Sequence, residues 1–166
     1  MAIGPGFDPI AEARRQWVAH GWVDAADGMA LVTSVMRVNQ ILLSIVDGVL
    51  RPYELTFARF EILALLDFSR RGSLPLGKIG DRLQVHPTSA SSAVQRLERQ
   101  GLIIRVPHPT DGRTTLVEIT SQGRKVVRRA AADLNATVFA DLPLGRDDVT
   151  RMVELLTTLR RNSGDL

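Results

Sequence analysis

Between Leu76 and Thr120 the apolar residues change their spacing, and that change leaves few folds open. In LGKIGDRLQV (Leu76–Val85), Leu76, Ile79, Gly80 and Leu83 share one face of a two-turn helix. His86 and Pro87 punctuate, and proline suits the first position of a helix. The helix that follows, TSASSAVQRLERQG, turns Ala90, Ala93, Val94 and Leu97 inward and stops at Gly101. The spacing then drops to two. LIIRVP (Leu102–Pro107) and RTTLVEIT (Arg113–Thr120) read as strands, and His108, Pro109, Thr110, Asp111 and Gly112 between them are turn chemistry. Two short helices across a turn, then a hairpin, make a helix-turn-helix with a two-stranded wing.

The outer face of the second of those helices is unusual. It carries Thr88, Ser89, Ser91, Ser92, Gln95, Arg96 and Arg99 and almost nothing apolar. Clustered hydroxyl residues are poor helix formers, and a merely solvated face would favour Glu and Lys. Short donors and acceptors at the start of such a helix can reach base edges in a major groove, while arginines reach phosphates. Charge agrees: Ser69–Arg113 holds eight basic residues against Asp81, Glu98 and Asp111, so this stretch is +5 in a chain of net +3. His86 and Pro87 at the helix start, His108 and Asp111 in the turn, and Arg113 beside the wing tip complete the candidate DNA-binding set. Arginine there suits the negative potential of a minor groove.

The flanks read as helices. Asp8–His20 forms a short one, with Asp8 as cap, Pro9 first and Gly21 as stop. Asp24–Leu50 forms a long one, with Leu31, Val32, Val35, Val38, Leu42, Ile45, Val46 and Val49 at spacings of three and four. Met29, Met36, Ile41 and Leu43 widen that stripe beyond what one core needs. Phe57–Ser69 is a helix, Leu74–Pro75 a short extended piece, and Ser121 caps a helix running to about Leu142. Leu144–Arg161 closes the chain, with Val149, Met152, Val153, Leu156 and Leu159 inward.

Composition excludes several functions. There is no cysteine, hence no disulfide scaffold, thiolate metal site, cysteine nucleophile or thiol redox sensor. The three histidines, His20, His86 and His108, fall in separate elements, so no metal or other cofactor is expected. No phosphate-binding glycine loop, Ser-His-Asp pattern or carboxylate pair points to an enzyme. Arg37, Asn39, Gln40 and Asp47 interrupt the long apolar helix, and the opening residues lack the apolar core of a secretory signal. A cytoplasmic protein without a membrane partner is expected.

The stretches LTFARFEILALL, LGKIGDRLQVHPTSASSAVQRLERQGLIIRVPHPTDGRTTLVEIT and SQGRKV resemble the MarR family of bacterial transcription regulators. The run Gln95-Arg96-Leu97-Glu98, then Gly101-Leu102-Ile103, then Asp111-Gly112-Arg113 carries the resemblance, which spans about Ala30–Leu159. It implies a mainly α fold: a winged helix-turn-helix lobe over 55–120, a dimerisation helix over 24–54 and C-terminal dimerisation helices over 121–166. It further implies a homodimer on a pseudo-palindromic double-stranded DNA operator, with Asp111 holding Arg113 for the minor groove. Many relatives are repressors released by a small phenolic or anionic effector.

Residues 1–23 form an extension ahead of that frame. It carries Trp17, His20 and Trp22, and the chain has no other tryptophan. These three either staple an extra helix in place or, with Arg59 and Phe60, line a pocket for an aromatic or anionic ligand. A tryptophan-bearing N-terminal helix is similar to the urate-responsive subgroup of the family, which pairs an acid with a recognition-helix arginine. Here those positions are Glu61 and Ala93, so urate itself is not expected. The competing reading of the whole chain is a winged-helix protein-interaction module without ligand response or DNA binding.

Overall fold

The computed structural model describes residues 6–84, 86–111 and 114–166. Within these the chain clusters into two compact units, Met1–Phe57 and Ala58–Leu166.

The first unit is a helical hairpin. α1 (Pro9–Ala19) begins as its sequence demands: the Asp8 side chain accepts the Ile10 N–H at 2.9 Å and Pro9 takes the first position. Gly21, at φ +84°, lets the chain reverse into α2 (Val23–Leu50). Arg14 on α1 pairs with Asp27 on α2 at 2.6 Å. Pro52 does not stop the chain outright. It sits in a 3-10 turn (Arg51–Tyr53), after which Glu54 turns left-handed.

The apolar stripe of α2, already wider than one core needs, is largely uncovered. Only Ala26, Val46 and Leu50 are buried, while Leu31, Val32, Val35, Val38, Leu42 and Ile45 are exposed. With its 3-10 turn the helix is also long and apolar enough to cross a membrane by length and composition, at a mean hydropathy of 1.6. The polar side chains at 37, 39, 40 and 47 do not by themselves exclude a span.

The second unit carries the expected helix-turn-helix and wing. α3 (Phe57–Phe68) buries Phe60, Ile62, Leu63 and Leu66. The piece at Leu74–Pro75 proves to be a paired strand, β1 (Ser73–Pro75). α4 (Leu76–Leu83) and α5 (Pro87–Arg99) follow; of the four residues of α5 read as inward, Ala90, Val94 and Leu97 are buried and Ala93 is half-buried. The wing strands are β2 (Ile103–Pro107) and β3 (Thr115–Ile119), with Ile103 opposite Ile119 and Arg105 opposite Val117. β1 pairs antiparallel with β3, so the sheet has three strands in the order β1-β3-β2 rather than the two expected. The third strand was hard to read because three residues, one of them proline, are too short for an alternation signal.

α6 (Ser121–Leu134) departs from its sequence reading at both ends. The cap is Thr120, whose hydroxyl accepts the Gly123 N–H at 3.0 Å, and Ser121 is the first helical residue. Beyond Leu134 the helix widens into a π segment, Asn135–Phe139, and does not run on as α-helix to Leu142. α7 (Arg146–Asn162) buries nothing: Met152, Val153, Leu156 and Leu159, expected inward, are all exposed. A stripe at helical spacing shows that a face wants cover, not which chain covers it.

Candidate nucleic-acid interface

α5 displays its polar face to solvent because its apolar residues are spent on the core. His86, Thr88, Ser89, Ser92, Gln95, Arg96 and Arg99 are exposed and Ser91 is half-buried; Pro87 opens the helix. His86 supplies the N-cap itself: its Nδ1 accepts the Thr88 N–H at 3.3 Å. The hydroxyls of Thr88, Ser89 and Ser92 are therefore not needed for capping.

The wing turn uses the same device. His108 Nδ1 accepts the Thr110 N–H at 3.3 Å, and the His108 N–H donates to the Thr114 carbonyl at 3.1 Å. The Thr114 hydroxyl donates to Asp111 Oδ2 at 2.6 Å, so Asp111 braces the turn. Arg113, with Gly112, lies outside the described residues. Arg105 on β2 pairs with Glu98 on α5 at 3.2 Å and ties wing to helix.

Two open concavities flank α5. One, about 720 Å³, lies among α4, α5 and β3 and is lined in part by Lys78, Asp81, Gln84, Ser91 and Thr115. The other, about 380 Å³, is lined by Arg59, Arg96, Arg99 and Gln100. Arg59 Nη1 donates to Gln100 Oε1 at 3.2 Å, so α3 presents a third guanidinium beside the two of α5. Arg59 thus sits with the cationic end of α5. The spacing of α3 does not reveal which helix Arg59 meets, so its place beside Arg96 and Arg99 is not legible in the sequence.

The five residues expected to line a ligand pocket divide between the two units: Trp17, His20 and Trp22 in the first, Arg59 and Phe60 in the second. Phe60 is 7% exposed and belongs to the core. The first three do form a cluster. Trp17 and Trp22 meet edge to face at 5.4 Å, and His20 stacks on Trp22 at 5.7 Å. His20 Nδ1 also lies 2.7 Å from the Gln16 carbonyl oxygen, which fixes the ring at the end of α1. Among the described residues no group of three or more His, Asp and Glu is placed to hold a metal ion.

Comparison with known proteins gives this geometry its context. A model of the MarR family matches residues 53–114, the segment from the 3-10 turn into the wing. The structure is similar to that of Sco5413, a MarR family transcriptional regulator from Streptomyces coelicolor, at 46% identity and a TM-score of 0.76, over 84% of this chain and 97% of that one. It also shares its fold with Sco3205 of the same organism, solved in complex with DNA: 21% identity, TM-score 0.73, 82% and 88% covered. An HTH-type transcriptional regulator of Mycobacterium bovis is 31% identical over 94 residues, 55% of this chain and 66% of that protein.

Proposed function

Since the chain belongs to the MarR family of transcriptional regulators, we propose that it acts as a homodimeric, sequence-specific DNA-binding repressor released by a small aromatic or anionic ligand. The observation that carries the DNA reading is the exposed face of α5, with hydroxyls and an amide at its start and along its length and Arg96 and Arg99 at its end. Inserted in a major groove, Thr88, Ser89, Ser92 and Gln95 read base edges, while Arg96, Arg99 and Arg59 take phosphates. The adjacent minor groove is given to Arg113 on its charge and its place in the sequence beside the wing turn.

What a single chain leaves uncovered supports the dimer reading. α2 and α7 expose Leu31, Val35, Leu42, Val153, Leu156 and Leu159, and a second copy is the occupant that a two-fold regulator supplies. In the dimer the two α5 helices sit about 34 Å apart, one turn of DNA. Covered in this way, α2 is an interface helix of a cytoplasmic protein and not a membrane span.

The ligand reading rests on Trp17, His20 and Trp22, a flat aromatic surface beside an imidazole. A ligand that prefers a dimer with misplaced recognition helices weakens DNA binding, and DNA weakens ligand binding by the same factor.

Fluorescence anisotropy tests the DNA reading, using a duplex that the chain itself selects from a random pool, at two salt concentrations, for wild type and Arg113→Ala. Tight binding that weakens steeply with salt and drops in the variant is expected. A chain that selects no duplex, or binds it without salt dependence, is a protein-interaction module instead. Sedimentation of the free chain reads the dimer, and quenching of tryptophan fluorescence reads the ligand.

A further inference from the structure

The link between α4 and α5 sets the angle at which the recognition helix leaves its brace, and Gln84 opens that link. Gln84 closes α4 in the left-handed region, at φ 52° and ψ 39°. This helix-ending position is normally given to glycine, or to asparagine, because a Cβ is strained there. Among the described residues only Glu54 shares such a backbone without being glycine. The strain of a glutamine persists where the surroundings fix it, and here the side chain shows what fixes it.

Both ends of the Gln84 amide are engaged, one by Arg160 in the last turn of α7 and one by Asp165 just past that helix. Gln84 Nε2 donates to the Asp165 carbonyl oxygen at 2.9 Å, and Arg160 Nη2 donates to Gln84 Oε1 at 2.9 Å. The two α7-side partners hold each other as well. Arg160 Nε donates to Asp165 Oδ2 at 2.6 Å, and the Asp165 N–H donates to the Arg160 carbonyl at 3.0 Å. Gly164, at φ +77°, folds the tail back to close this ring. All of it lies within the second unit. Arg160 and Asp165 are about half and two-fifths exposed, so no one bond is strong. The geometry is a closed loop of mutually oriented groups, in which each bond fixes the donor or acceptor of the next.

We propose that Arg160 and Asp165 are positioning residues for the recognition helix. With Gln84 they latch the end of α7 to the helix-turn-helix turn, so that the helix carrying the uncovered apolar face also holds the angle of α5. The inference rests on the DNA-binding reading for its consequence and not for its geometry. A change in how α7 packs in the dimer reaches α5 through the latch without passing through the wing.

The test uses the full chain with Gln84→Gly, Arg160→Ala, the double variant and Arg160→Lys. Gln84→Gly is decisive, because glycine relieves the backbone while removing the latch. If the residue serves only the turn, the variant is as well ordered as wild type or better. The first readout needs no DNA: exchange of the Thr88, Ser89 and Ala90 amides, which hydrogen-bond to His86. The second is the ratio of affinities for the selected duplex and a shuffled one. Both single variants are expected to speed exchange and to lower the ratio by about five- to tenfold. The double variant should be no worse than either single, and Arg160→Lys should restore part of the loss. Unchanged exchange in Gln84→Gly and Arg160→Ala overturns the latch. Faster exchange with an unchanged ratio overturns the positioning role, since the tail then only stabilises the fold. If wild type selects no duplex, the DNA-binding reading fails by itself and the exchange result still decides whether the latch exists.

Discussion

The Asp67 carboxylate on α3 takes two hydrogen bonds from the Arg128 guanidinium on α6, Nε to Oδ2 at 3.0 Å and Nη2 to Oδ1 at 3.2 Å. Arg124, one turn earlier on α6, adds a third from Nη1 to Oδ1 at 2.8 Å. One carboxylate, 9% exposed, thus sits between two cations and clasps α6 to α3. The Arg128 hydrogen bonds are the main reason its carboxyl is held below the usual 3.8; burial opposes the shift and Arg124 adds to it. The stabilisation is therefore complete above the ordinary aspartate value and is lost as pH falls through the lowered one. In urea denaturation at neutral pH, Asp67→Asn should cost about 1–2 kcal/mol, nearer the lower figure because Arg128 is open to screening. The gap between variant and wild type should close in acid. Equal stability at neutral pH would show the clasp to be idle.

Glu61, on the same helix, has the opposite sign. Burial alone raises its carboxyl above the ordinary value, and among the described residues it makes no ion pair. The folded state then holds a proton that the unfolded chain has released, so this group lowers stability as pH rises past its ordinary value and up through the raised one. Glu61→Gln should raise the melting temperature at neutral pH and leave it unchanged at about pH 3. A lower melting temperature at neutral pH would mean that the charged form is held by something else, such as a second chain.

Gly123, at the start of α6, is fixed by close approach and not by its backbone angles. A Cβ there would lie 2.1 Å from the Leu102 carbonyl oxygen and 2.8 Å from Ile119 Cγ1. The carbonyl is held in place by the Thr120 N–H, which donates to it at 3.0 Å. Gly123→Ala should cost about 1–3 kcal/mol and lower the melting temperature by several degrees. Gly77→Ala, where a Cβ meets nothing within 4 Å, should be neutral or slightly stabilising.

What the sequence made legible and what it hid differ in range. Pro9, Pro87 and Gly101 act within one turn of chain, so the ends they mark were readable. The buried set of α5 was readable too, because Ala90, Val94 and Leu97 meet a core made by their own unit. The three-residue β1, the grouping of Arg59 with Arg96 and Arg99, the Asp67 clasp and the latch at Gln84 all join residues far apart in sequence, where spacing carries no information. The α2 stripe is legible as wider than one core needs, whereas the inward direction read for Met152, Val153, Leu156 and Leu159 of α7 does not hold within a single chain. Periodicity marks an apolar face and does not say what, if anything, lies against it.

On the proposed DNA-binding reading, the cap of α5 separates helix formation from base reading. His86 Nδ1 takes the Thr88 N–H, so the cap is made by the imidazole, while the exposed Thr88 and Ser89 hydroxyls are the groups that the proposed reading gives to DNA. Removing the ring in His86→Ala should cost about 1 kcal/mol of stability and weaken binding to selected and shuffled duplexes. His86→Asn keeps a side-chain oxygen within reach of the same N–H, so stability should return to about the wild-type value. The affinities then divide the roles. If Asn restores binding as well as stability, His86 serves the helix alone. If stability returns and binding to the selected duplex does not, the imidazole itself touches DNA, and Ser89→Ala, which leaves the cap intact, should lose affinity for that duplex while leaving the melting temperature unchanged.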